Sequence, residues 1–100
     1  MSIEYFGTPA PALTVDTVQR VMDAVLAFDE IRLVRRDESE LGIRFLHRGD
    51  PEQETATILL KPEQVAVAFH AGRENEREKV IRLLESTLAE LGCECRLEED

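Results

Sequence analysis

IRLVRRDESELGIRFLHR, residues 31–48, is the stretch whose reading decides the fold. Apolar and charged residues alternate in it with a period of two, the spacing of strands that have one covered face. Ile31 and Leu33 alternate with Arg32, Val34 and Arg36. After Asp37-Glu38-Ser39-Glu40, Leu41, Ile43, Phe45 and His47 alternate with Gly42, Arg44, Leu46 and Arg48. The stretch reads as a hairpin around an acidic turn. Facing residues of an antiparallel pair share a side of the sheet, so register decides where the arginines go. If facing positions sum to an even number, as with Leu33 opposite Phe45, then Ile31, Leu33, Ile43 and Phe45 share the core. Arg32, Arg36, Arg44 and Arg48 then share the other side. An odd sum would set Arg32 beside Phe45 and mix charge with core on both faces. The even register is expected, and it requires an odd-length loop or a bulge.

Downstream of this hairpin, the turn Gly49-Asp50-Pro51 leads into a third strand over 55–61, with Ala56, Ile58 and Leu60 inward. A fourth strand over 65–70 turns Val65, Val67 and Phe69 inward. Lys61-Pro62-Glu63-Gln64 joins them as a tight turn with Pro62 where a type I turn accepts it. Here an odd sum, Ile58 opposite Val67, keeps the apolar residues together. Upstream, Thr14 can cap a helix whose apolar positions Val15, Val18, Met22, Val25 and Leu26 follow a helical repeat. From Arg73 the repeat is helical again. Asn75 with Glu78 fits a capping box, Ile81, Leu84, Leu88 and Leu91 form the stripe, and Gly92 suits a left-handed C-terminal cap.

Ile3–Phe6 reads as a first strand, residues 7–13 as a connector, Cys93–Leu97 as a last strand, and 98–100 as a frayed acidic tail. The chain is one α+β domain over residues 1–100, in the order β-α-β-β-β-β-α-β. Successive strands with short connections give a mainly antiparallel sheet of five to six strands. Two helices with one apolar stripe each must cover the same sheet face, giving a two-layer sandwich. Helices on both faces would need apolar residues at nearly every strand position, which the arginines of 31–48 argue against.

The uncovered face is then the candidate surface. Its expected members are Arg32, Val34, Arg36, Arg44, Leu46, Arg48, Leu59 and His70, together with Thr57, Lys61, Ala66 and Ala68. Aliphatic residues framed by arginine suit a binding surface, because both tolerate burial at interfaces better than lysine or glutamate does. The bland alternative is a solvated face whose arginines pair with Glu30, Glu38 and Glu40.

Motifs for chemistry are missing. His47 and His70 are expected on opposite faces, which argues against a shared metal or a catalytic pair. Cys93-Glu94-Cys95 lacks the second pair of ligands that a zinc site requires and reads as buried, reduced thiol. The glycines are dispersed and form no phosphate-cradling loop, and Ser2, Ser39 and Ser86 have no nucleophile-elbow context. No enzyme, cofactor or metal is expected.

Of the 100 residues, 43% are apolar, enough for a folded chain, and no apolar run approaches the roughly 20 residues of a membrane helix. No membrane partner is expected, nothing in Met1–Phe6 resembles a secretory signal, and the expected setting is the cytoplasm. Twelve Lys and Arg against 21 Asp and Glu give a net charge of −9, which repels phosphate backbones. The order of strand, helix, four strands and helix is similar to one repeat of a TATA-binding-protein-like sheet. That likeness is architectural: the charge, and an open face expected to carry no Phe, Tyr or Trp for base stacking, give no reason to carry DNA binding with it. The functional expectation is a small acidic, non-catalytic protein-binding module. It would form a homodimer through the open face or act as an immunity-protein-like or chaperone-like partner of a basic protein. The alternative is a small anionic ligand on the arginine face.

Overall fold

The computed structural model describes residues 2–46 and 54–100. Its elements run β1 (Ile3–Gly7), α1 (Val15–Leu26), β2 (Ile31–Arg36), β3 (Glu40–Phe45), β4 (Ala56–Lys61), β5 (Gln64–Phe69), α2 (Glu74–Glu90) and β6 (Glu98–Glu99). The six strands form one antiparallel sheet in the order β2-β3-β4-β5-β1-β6. This is the small α+β sandwich that the alternation and the two helical stripes predict. No helix among the described residues is long and apolar enough to cross a membrane.

The apolar alternation builds the core. Leu41 faces Ile58 and Ile43 faces Ala56 between β3 and β4; Ile58 faces Val67 and Leu60 faces Val65 between β4 and β5. All are at most 1% exposed and form one cluster with Val21, Met22 and Val25 of α1 and Val80, Leu84 and Leu88 of α2. Both helices therefore lie on that side of the sheet. β1 joins β5 with Ile3 opposite Phe69 and Tyr5 opposite Val67, and the Tyr5 ring meets Phe69 edge-on with centroids 5.7 Å apart.

Helix ends follow local chemistry. Thr14 caps α1, its hydroxyl accepting from the Thr17 N–H at 3.1 Å. Val15, expected on the apolar stripe, is instead 70% exposed, and Val21 takes part in the core in its place. Val15 stands in the first turn, beside a groove of about 290 Å³ formed with Leu13, Val18, Leu60 and Pro62. α2 begins two residues before the expected Asn75 cap. Gly72 turns the chain at φ +113°, Arg73 is the N-cap, and Glu76 rather than Glu78 accepts from the Arg73 N–H at 2.8 Å. Gly92 ends α2 as expected, at φ +82°, with Gly92 N–H donating to Ala89 O and Cys93 N–H to Leu88 O, a Schellman motif.

Two expectations for the C-terminal segment are corrected. Cys93–Leu97 is not a strand: Cys93 N–H is held by α2, Leu97 N–H donates to the Glu85 carboxylate at 2.8 Å, and only Glu94 forms a bridge, with Ala10 of the connector. The acidic residues 98–100 do not fray. Glu98 pairs with Phe6, Glu99 with Tyr5, and Asp100 N–H donates to Glu4 O at 2.9 Å.

The 31–48 hairpin has the even register in its outer half, Ile31 opposite Phe45, Arg32 opposite Arg44 and Leu33 opposite Ile43. The required irregularity is a β-bulge between Leu33 and Arg35, after which Arg35 faces Gly42 and Arg36 faces Leu41. One extra residue reverses the alternation, so Arg36 is not on the open face. It shares the helix side with Leu41, where it pairs with Asp23 of α1 at 2.9 Å. Leu33, expected in the core, is 51% exposed on the outermost strand. His47 and Arg48, with the turn 49–51, lie outside the described residues.

Candidate functional site

The side of the sheet away from the helices is assembled from rows of facing residues. One row runs Arg35, Gly42, Thr57, Ala68 and Glu4 across β2, β3, β4, β5 and β1. The next runs Glu40, Leu59, Ala66, Phe6 and Glu98, ending on β6. Arg32 and Arg44 face each other at the β2–β3 corner. Of the expected surface residues, Arg32, Arg44, Leu59 and His70 come to this side, Val34 fills the bulge half-buried, and Leu46 lies just past β3, 36% exposed. They do not converge on one point.

Like charges directly opposed in a sheet are unfavourable. Arg32 relieves this by folding back, its guanidinium donating to Asp29 O at 2.7 Å and Ile31 O at 2.9 Å. Among the described residues neither Arg32 nor Arg44 has a carboxylate partner.

Sequence reasoning missed two features. The first is a polar network that crosses the sheet. Gly42 lacks a side chain, and the Glu54 carboxylate occupies the space a Cβ would take there. Glu54 accepts from Arg35 Nε at 2.8 Å and from the Thr57 hydroxyl at 3.0 Å, while Arg35 also meets Glu40 at 3.0 Å and Asp37. The Arg35 contact holds the Glu54 carboxyl below the usual carboxylate range, overcoming partial burial, and the three carboxylates hold the Arg35 guanidinium further above its ordinary value. Thr57 gives its single proton to Glu54, so its oxygen accepts from His70 Nε2–H at 3.0 Å, and Ser2 Oγ lies 2.9 Å from Nδ1. The signal for this network was the run of carboxylates at 37, 40 and 54 around Arg35 and a glycine at 42.

The second missed feature is Phe6, 37% exposed. It faces Ala66 and so lies on the open side, which therefore does carry an aromatic ring. Leu59 and Thr57 on β4 stand on one side of Ala66 and Ala68, Phe6 and Glu4 on the other. Together they enclose a shallow furrow of about 230 Å³. Glu98 and Asp100 prolong its β1 flank with exposed carboxylates.

Away from this face, Cys93 and Cys95 are free, buried thiols. Burial pushes both up, Cys95 to about 11. Among the described residues no three His, Cys, Asp or Glu side chains are grouped to hold a metal ion. No protein-family model, curated protein or solved structure matches the chain.

Proposed function

We propose that the chain is a non-catalytic protein-binding module that docks through the uncovered face of its sheet. The observation that supports this is the row Leu59, Ala66 and Phe6, apolar and at or near the surface on a face that neither helix covers. An apolar strip with a polar rim is the composition of a docking surface. The net charge of −9 favours a basic partner by speeding encounter. A second copy of the chain would bring the same excess of negative charge to the contact. The anionic-ligand reading loses support where Arg36 is already paired with Asp23. The buried, reduced Cys93 and Cys95 favour a reducing setting, the cytoplasm.

Site-specific photo-crosslinking in the cells that make the protein tests the reading. A photoreactive residue in place of Leu59 should give a discrete protein adduct, and one in place of Arg82, exposed on α2, should not. An adduct of twice the chain mass identifies a second copy as the partner. Equal adducts at both positions, or none at 59, overturn docking through this face.

A further inference from the structure

The furrow on the open face combines two properties that specify what fits it. Its floor and walls are apolar at Phe6, Leu59, Ala66 and Ala68, with Phe6 and Leu59 standing above the two alanines. Its β1–β6 flank carries Glu4, Glu98 and Asp100, all exposed. Among the described residues, only Glu98 of these three is paired with a cation, Arg96 at 3.9 Å, in a pair more than three-quarters exposed on each side. The cations of the face are elsewhere: Arg35 is held by Asp37, Glu40 and Glu54, Arg32 and Arg44 sit at the far corner, and Lys61 ends β4, across the furrow from Glu4 and Glu98. The flank therefore presents net negative charge beside an apolar trough, three carboxylates against Arg96. An acidic or phosphate-bearing ligand is repelled there, and an aliphatic side chain next to a cation is complementary in both shape and sign.

Resting on the docking reading above, we propose that this furrow takes a cationic segment of a partner protein. An aliphatic side chain of that segment lies over Ala66 and Ala68 between Phe6 and Leu59, while its lysine or arginine side chains meet Glu4, Glu98 and Asp100. The six-stranded sheet positions both halves of the site at once, because β1 brings Phe6 and Glu4 from the start of the chain against β5 and against Glu98 from its end.

The probe is a short fluorescein-labelled peptide alternating lysine and valine, with a glutamate-for-lysine counterpart, titrated into the full chain and followed by anisotropy. The lysine peptide should bind and the glutamate peptide should not. Glu4→Lys with Glu98→Lys should weaken binding by about tenfold or more. Glu90→Lys with Glu94→Lys, the same charge change away from the furrow, should alter it by less than about twofold. Glu4→Gln with Glu98→Gln, checked by circular dichroism, repeats the comparison in a milder form. Ala68→Met, which fills the trough, should also weaken binding. Equal loss in the two lysine double variants means that net charge alone attracts the peptide, and that result overturns the proposal. No binding of the lysine peptide overturns it too. Dimeric sedimentation of the chain alone, abolished by Ala68→Arg, assigns the face to a second copy and likewise overturns it. An adduct at position 59 combined with any of these failures leaves the docking reading standing without this partner chemistry.

Discussion

Glu54 lies over β3 because position 42 is glycine, and the Arg35–Glu54–Thr57 contacts depend on that vacancy. The carboxyl group has a folded pKa below its ordinary unfolded value, because Arg35 stabilises the charged form. Its stabilisation is thus fully present above that unfolded value and is lost as pH falls through the lowered folded one. Glu54→Gln should cost about 1 kcal/mol at neutral pH, below the usual range for a charged hydrogen bond because Arg35 keeps Asp37 and Glu40. In urea titrations at a series of pH values, the gap from wild type should narrow as the pH falls below the ordinary glutamate value and close below the lowered folded one. A gap that persists into acid would show that the contact acts through packing rather than charge. Gly42→Ala evicts the same carboxylate. In the wild-type background it should be neutral to destabilising, whereas after Glu54→Ala the improved strand propensity should make it stabilising by about 0.5 kcal/mol. Additive effects of the two substitutions would separate Gly42 from Glu54.

At the scale of elements, the end of α2 offers a clean measurement. Gly92 has φ +82°, and no heavy atom lies within 4 Å of where a Cβ would stand. Gly92→Ala should therefore cost about 1 kcal/mol from the left-handed backbone alone, and Gly92→Asn less, both read from denaturant midpoints. A neutral alanine would mean that the Schellman turn relaxes without cost. This cap was legible in the sequence because it is local, as were the Thr14 cap, the Pro62 turn and the inward residues of β4 and β5. The bulge in β2 was legible only as a requirement. Its position depends on where Arg35 finds Glu54, 19 residues away, and that position sends Arg36 to α1 instead of the open face. Phe6 escaped for a related reason: alternation places it on one side of β1, but which side of the sheet that is depends on the pairing with β5, more than 50 residues on. Half of the candidate surface was thus visible as a pattern, and the half that gives it shape came from contacts distant in sequence.

For the whole molecule, charge acts in two opposite directions. The ion pairs that order the fold, such as Arg35 with Glu54 at 2.8 Å and Arg36 with Asp23 at 2.9 Å, act at contact distance, where salt screens weakly. The excess of nine negative charges repels itself over separations comparable to the radius of gyration, 12.4 Å. Between 0.01 M and 0.15 M ionic strength the screening length falls from about 30 Å to about 8 Å, so the repulsion is relieved while the contact pairs largely survive. Stability should therefore rise with salt. Roughly 0.5 kcal/mol of relieved repulsion in a chain of this size corresponds to a Tm increase of about 3 °C. Affinity for a cationic segment should fall over the same range, because that attraction is made by the same unscreened field. Opposite slopes in calorimetry and in peptide anisotropy are expected. A Tm that drops with added salt would show that the ion pairs, not the excess charge, dominate the electrostatics of this fold.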